Sequence, residues 1–336
     1  MKKIVVAPDS FKGSLTSAEV ADAVERGIKD VFPQCNVVKA GVADGGEGTV
    51  EAIVKAVGGD MYAASVTDPL GRPVKAAYGI VRSGGVKTAV MEMSAASGLP
   101  LLLPDELNPW ITSTYGTGEM ISDALNRGCR KFLVGIGGSA TNDAGTGMLS
   151  ALGVRFLDSS GQRLKGCGRD LESIARIDMS SLMPAARESE FIVACDVNTP
   201  FCGPDGAARV FAPQKGADPQ TAEALDLGMR SFAQVIAGQF QTDIVPLSGA
   251  GAAGGLGGAF KAFLNARLTA GIEMVLDAIA FDSLLEGADL VITGEGRIDA
   301  QTAAGKTAAG VLRHAARKGI PVIAIGGSVA MCRELK

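Results

Sequence analysis

The sequence predicts an α/β protein of two domains, and three observations predict it. The chain has 336 residues, 47% of them hydrophobic, enough to fill more than one core of ordinary size. Short apolar runs at 4–7, 37–42, 132–134, 191–195 and 288–293 read as buried strands, with amphipathic helical stripes between several of them. After these runs the same kind of loop recurs, glycines mixed with Asp, Glu, Ser, Thr or Lys, at the carboxyl end where open α/β sheets bind ligands. One domain is placed at 1–65 with 285–336 and the second at 66–284.

The first strand is closed by Pro8 and followed by Asp9, Ser10, Phe11, Lys12 and Gly13. Asp9 and Lys12 are candidates for ligand contact, with a solvated turn and incidental ion pair as the alternative. Thr16 and Glu19 form a capping box for a helix whose stripe is Val20, Val24, Ile28 and Phe32, stopped by Pro33. The strand at 37–42 delivers Asp44, two glycines and Glu47, then a helix with Val50, Ile53, Val54 and Val57. A carboxylate there can hold Mg²⁺ or orient a hydroxyl, while Glu47 is equally a first-turn residue facing the helix dipole. Alternating runs at 63–66, 74–80 and 88–93 read as a small antiparallel piece of the second domain. A helix begins near Thr114, with Thr117 read as a cap and Tyr115 as packing.

The segment around which the chain is organised is GIGGSATND at 135–143, directly after the strand at 132–134. Its glycines let backbone approach a ligand, and Ser139, Thr141, Asn142 and Asp143 supply hydrogen-bonding groups and a charge; a plain strand-to-helix turn is the competing reading. The strand at 191–195 delivers Asp196 and Asn198, which with Gln214 and Lys215 make a carboxylate and cation set suited to a phosphorylated substrate. Helices are expected at 144–153, 220–238 and 272–280. Six glycines between 249 and 258 read either as tight packing or as an anion cradle, the latter preferred. The strand at 288–293 ends in GEGRID, and a last strand runs over 321–325. A Walker A loop fails because Ala300 stands where its first glycine belongs, and a dinucleotide fingerprint fails because Asp299 occupies its final glycine position.

Composition excludes other classes. A net charge of −4 without a basic run argues against nucleic acid, and no stretch reaches membrane-spanning length. Six cysteines without a CxxC read as reduced structural thiols in a cytoplasmic protein. The single histidine, His314, falls on a predicted helix and reads as structural, which leaves no multi-histidine zinc site and no Ser-His-Asp hydrolase. What remains, carboxylates, lysines and glycines at strand ends, is what phosphoryl transfer asks for.

APDSFKGSL at 7–15, VADGGEGT at 42–49, TSTYGTGE at 112–119, GIGGSATNDAGTGM at 135–148, ACDVNTPFCG at 194–203, FAPQKGA at 211–217, GAAGGLGG at 251–258 and TGEGRID at 293–299 together resemble the bacterial type I glycerate kinase (glycerate 2-kinase) family. The resemblance spans almost the whole chain, in order. It implies two α/β domains, one Rossmann-like, with the active site in the cleft between them, and phosphorylation of D-glycerate by ATP with Mg²⁺ at the 2-hydroxyl. It further implies Ser139, Thr141, Asn142, Asp143 and Lys215 around the substrate, with Asp196 as base. Lys12 and the 251–258 glycines would offset phosphate charge. Asp9, Ser10, Gly254, Gly255, Gly257 and Lys306 would lie on the nucleotide side, and Asp44, Glu295 and Asp299 near Mg²⁺. A homodimer, without nucleic acid or membrane, completes the expectation. The alternatives are a kinase giving 3-phosphoglycerate and a non-catalytic sugar-acid or phosphometabolite binder. Chains of this family usually continue a few dozen residues beyond the strand at 321–325, so a truncated or divergent end of reduced stability is expected.

Overall fold

The computed structural model describes residues 1–330 except Lys12, Glu47, Gly84, Ala300, Gln301 and 303–306. The chain divides into two compact units, Met1–Gly59 with Ala270–Lys336, and Asp60–Thr269. The expected divisions after 65 and 284 shift for a physical reason. Residues 60–65 pair into the second unit's sheet, and the helix starting at Gly271 packs on the first unit's Asp44 loop.

The first unit opens with Lys3–Pro8 (β1), Ser17–Val31 (α1), Asn36–Lys39 (β2) and Thr49–Val57 (α2). α1 starts at the predicted box: the Glu19 N–H donates to Thr16 Oγ1 at 3.3 Å and the Thr16 N–H to Glu19 Oε2 at 2.8 Å. Its Val20, Ala21 and Ile28 are buried. β2 is shorter than expected, because after the Ala40 N–H bonds to Val6 O the chain leaves the ladder.

The second unit runs Asp60–Thr67 (β3), Pro73–Ser83 (β4), Val86–Glu92 (β5), Ser94–Ser97 (α3), Tyr115–Asn126 (α4), Lys131–Gly135 (β6), Thr146–Ala151 (α5), Arg155–Leu157 (β7), Arg176–Asp178 (β8), Pro184–Arg187 (α6), Glu190–Ala194 (β9), Ala207–Phe211 (α7), Pro219–Phe240 (α8), Ala252–Leu264 (α9) and Arg267–Thr269 (β10). Its six-stranded sheet has the order β10-β9-β6-β5-β4-β3. β3, β4 and β5 are antiparallel, whereas β5, β6, β9 and β10 run parallel. The alternating runs therefore form the antiparallel flank of the second unit's mixed sheet. Phe132 and Phe191 face each other across β6 and β9 and stack at 4.7 Å, with Phe260 of α9 at 5.8 Å from Phe191. Thr117 lies inside α4, its hydroxyl on Ser97, and is not a cap; Tyr115 is exposed rather than packed.

The chain then returns to the first unit with Gly271–Ala278 (α10), Phe281–Leu284 (α11), Leu290–Ile298 (β11), Thr307–Arg317 (α12) and Val322–Val329 (β12). Four parallel strands lie in the order β12-β11-β1-β2. The strand order reverses between β1 and β11, a topological switch point. GEGR at 294–297 is strand rather than loop, because Glu295, Arg297 and Ile298 pair with Gly326, Ser328 and Val329 of β12.

Glycine sets how closely elements approach. A Cβ on Gly116 of α4 would stand 1.8 Å from Thr67 O, and one on Gly118 2.3 Å from Met148 O. Gly27, on the exposed face of α1, has nothing within 4 Å of that position. Gly116→Ala should cost roughly 2 kcal/mol or more through the backbone clash, and Gly27→Ala should stabilise by about 0.5–1 kcal/mol through helix propensity. Urea unfolding of the two variants checks both signs.

Candidate functional site

In the second unit, β6 and β9 are neighbours whose carboxyl ends emit the two loops that carry most candidate residues, 136–145 and 195–206. Gly137 and Gly138 make an exposed turn, with Gly138 at φ +71°, and the chain then dives inward. Asp143 is fully buried. Its carboxylate accepts from the Thr114 N–H at 2.7 Å, Thr114 Oγ1 at 2.8 Å, and the Gly145 and Gly147 N–H groups at 3.1 and 3.2 Å. Burial raises its pKa, and these four donors work the other way by stabilising the charged form. Asp143 thus supports the loop from behind, its acceptor capacity used on protein donors. Thr114 was not singled out from sequence; the only signal was the density of hydroxyl residues ahead of α4.

Lys215 ends a single 3₁₀ turn, Pro213–Lys215, which stops at Gly216 with φ +95°. Its ammonium is 1% exposed and donates to Ser139 Oγ at 2.7 Å and Thr141 O at 2.6 Å. Among the described residues no carboxylate comes within ion-pair distance of it. Burial pushes the amine down to about 7, against the attraction of Asp143. Beside it, Thr141 Oγ1 and Asn142 Oδ1 are buried without a hydrogen-bond partner among the described residues, while Asn142 Nδ2 donates to Met229 Sδ at 3.3 Å. A buried polar atom left unsatisfied costs about 1–3 kcal/mol, so the cluster is an unpaid cost within the described residues. Asp196 is exposed just beyond β9, next to β6 in the sheet. Ser139, Thr141, Asn142 and Lys215 are brought together as expected; Asp196 stands on the adjoining strand end.

The glycines expected around phosphate pack closely against protein on their Cβ side. A Cβ on Gly254 would lie 2.2 Å from Thr141 O, one on Gly255 2.9 Å from Ala144 Cα, and one on Gly257 2.4 Å from Gly249 O. Ala253, Gly254 and Gly255 are left-handed, and the Ala144 N–H donates to Gly254 O at 2.9 Å. The run serves as a backbone buttress under the 141–144 loop, the packing alternative.

In the first unit, Asp9 sits at the switch point. Its N–H donates to Gly294 O at 2.8 Å, and its carboxylate accepts from the Ser10 N–H at 2.6 Å and from Thr307 Oγ1, at the start of α12, at 2.6 Å. The other acidic candidates do not form one ligand set: Asp299 pairs with Arg297 at 3.1 Å, Asp44 accepts from the Gly46 N–H at 3.2 Å, and Glu295 lies within β11. Among the described residues no group of three His, Cys, Asp or Glu is placed to hold a metal ion. Mg²⁺ bound through substrate phosphates and water needs only one or two carboxylates, a demand that Asp9, directly after β1, and Glu295, in the neighbouring β11, fit. Lys12, Glu47 and Lys306 lie outside the described residues. Four of the cysteines are buried free thiols, Cys195 is half-buried and free, and no described helix is long and apolar enough to cross a membrane.

His314 is structural, as expected. Its Nδ1 meets Asp282 at 2.8 Å and its Nε2 meets Glu273 at 3.0 Å, joining α12 to α10 and α11. Burial works to lower its pKa, but the two carboxylates outweigh it and the net shift is upward. The clamp therefore contributes fully below the unfolded imidazole value of about 6.5 and is lost as pH rises through the raised folded value. Thermal melts should show the wild-type chain losing more stability from pH 6 to pH 9 than His314→Gln does.

A family model for the glycerate kinase family matches residues 4–335. The chain is 49% identical over 328 residues to a glycerate kinase of Bacillus subtilis (strain 168), covering 98% of this chain and 85% of that protein. It is 46% identical over 327 residues to the glycerate 2-kinase of Escherichia coli (strain K12), covering 97% of this chain and 85% of the relative. A crystal structure from Salmonella typhimurium LT2, described as glycerate kinase 2, superposes with a TM-score of 0.92 at 46% identity, covering 98% of this chain and 90% of the other. With its buried lysine and hydroxyl cluster set behind a glycine turn at a sheet's carboxyl edge, the chain belongs to the glycerate kinase family.

Proposed function

We propose that the protein transfers the γ-phosphoryl group of ATP to the 2-hydroxyl of D-glycerate, giving 2-phospho-D-glycerate and ADP. Family membership and the named relatives support the reaction. The observation that carries the substrate reading is Lys215, buried without a carboxylate partner among the described residues and bonded to Ser139 and Thr141. A carboxylate ligand supplies the counter-charge that this cation lacks, Ser139 and Thr141 add hydroxyl donors, and Asn142 Oδ1 is an acceptor for a ligand hydroxyl.

Asp196, on the strand end beside that cluster, is the group assigned to take the hydroxyl proton as the oxygen attacks phosphorus. Phosphoryl transfer needs little covalent help from the protein, so holding the acid in place and removing its proton are the main tasks of these residues. The nucleotide phosphates are assigned to the first unit's switch point, with Asp9 and Ser10, and Mg²⁺ to Asp9 and Glu295. When bound, the ion neutralises charge on the transferred group.

Incubation with ATP, Mg²⁺ and D-glycerate, followed by phosphorus NMR, should show the 2-phosphoglycerate signal. A 3-phosphoglycerate signal would overturn the regiochemistry, and absence of ADP release from folded protein would overturn the kinase reading. Asp196→Asn should lower kcat by about 10²–10⁴-fold with a smaller change in KM, the range expected for a lost general base. Near-normal turnover in that variant would remove Asp196 from the role.

A further inference from the structure

The observations around Lys215 extend beyond recognition of a carboxylate to the protonation state of its amine. Three features bear on it. The Nζ atom contacts only neutral oxygens, Ser139 Oγ at 2.7 Å and Thr141 O at 2.6 Å. The charged group acting on it is Asp143, whose carboxylate is already engaged by Thr114, Gly145 and Gly147. On its own turn Pro213, Gln214 and Gly216 bring no charge, and the close neighbour of Gly216 is the Leu107 backbone.

Both contacts of Nζ suit a neutral amine as well as an ammonium. A neutral amine donates to the Thr141 carbonyl and accepts from the Ser139 hydroxyl; an ammonium donates to both. The pair thus tolerates either protonation state without rearrangement, and the surroundings decide which is present. Without a ligand, desolvation favours the neutral form and brings the amine to about 7. A ligand carboxylate adds a negative charge in a water-poor setting and reverses the preference.

We propose that binding of the hydroxy acid is proton-linked at this site: Lys215 waits as a neutral amine at mildly alkaline pH and takes up a proton from solvent as the carboxylate binds. This rests on the substrate reading given above and deepens it. No covalent bond changes; one proton moves from buffer to Nζ and leaves again with the product. Ser139, 6% exposed and bonded to Nζ, relays the charge, donating its hydroxyl to the ligand in the protonated state. A carboxylate-bearing acid is then bound most tightly below neutral pH, and its affinity falls as the amine becomes harder to protonate.

The experiment is calorimetry of D-glycerate binding to the full chain without nucleotide, repeated in buffers of different ionisation enthalpy from pH 6 to pH 9. The acid's own carboxyl group is ionised throughout, so it contributes no proton exchange. Uptake of roughly one proton per ligand is expected at pH 8, declining toward zero at pH 6, with affinity weakening up to about tenfold per pH unit above pH 8. Lys215→Arg, which stays charged, should bind with no proton uptake; Lys215→Met should lose binding. Binding without uptake at pH 8, or uptake persisting in the arginine variant, overturns the proposal. If folded protein binds no D-glycerate, the proposal falls as well, and ADP release with ATP and D-glycerate then reports separately whether the kinase reading survives.

Discussion

The second unit's 139–143 loop depends on one buried charge. Asp143 is fully buried, so its carboxylate is held by protein donors, four of which come from Thr114, Gly145 and Gly147. Those donors belong to the start of α4 and the start of α5, so the requirement draws two helix ends and the 139–143 loop to one point. It also dictates residue size. A Cβ on Gly147 would lie 2.1 Å from Ser113 Oγ and 2.8 Å from Asp143 Oδ2, so only glycine lets the N–H approach the carboxylate. Lys215 reaches the same loop through Thr141 O, and its partial attraction to Asp143 opposes the cost of burying an amine.

The first unit solves a different problem. Its sheet is wholly parallel, and strand order reverses between β1 and β11, a topological switch point at the carboxyl ends of those strands. Asp9 is held there by Thr307 Oγ1 and the Ser10 N–H, contacts that orient the carboxylate. The extension of β11 and β12 past the end of β1 carries Glu295 to the same edge.

Local chemistry was legible where a local cause suffices. The capping box of Thr16 and Glu19 started α1, because both partners lie within one helical turn. The apolar runs at 4–7 and 132–134 became strands, because burial on both faces selects continuous hydrophobic sequence. His314 was read as structural and is buried between two carboxylates. Long-range causes were not legible. GEGR at 294–297 has loop composition yet is strand, because β12 continues the ladder beside it. The 251–258 glycines read as an anion cradle in preference to packing, and only the position of Thr141 O and Ala144 shows how closely they pack against protein.

The sequence by itself determined the family, the alternation of strand and helix, and the loop that gathers Ser139, Thr141 and Asn142, since these depend on residue order and short-range spacing. Tertiary structure alone decided that Asp143 is a buried frame, that Thr114 holds it, and that Lys215, 74 residues beyond Thr141, ends on its carbonyl without a counter-ion among the described residues. The physical reason is that the state of an ionisable group follows from what surrounds it in space. Desolvation and nearby charge set whether a lysine waits as amine or ammonium, and neither can be read from its neighbours in the chain.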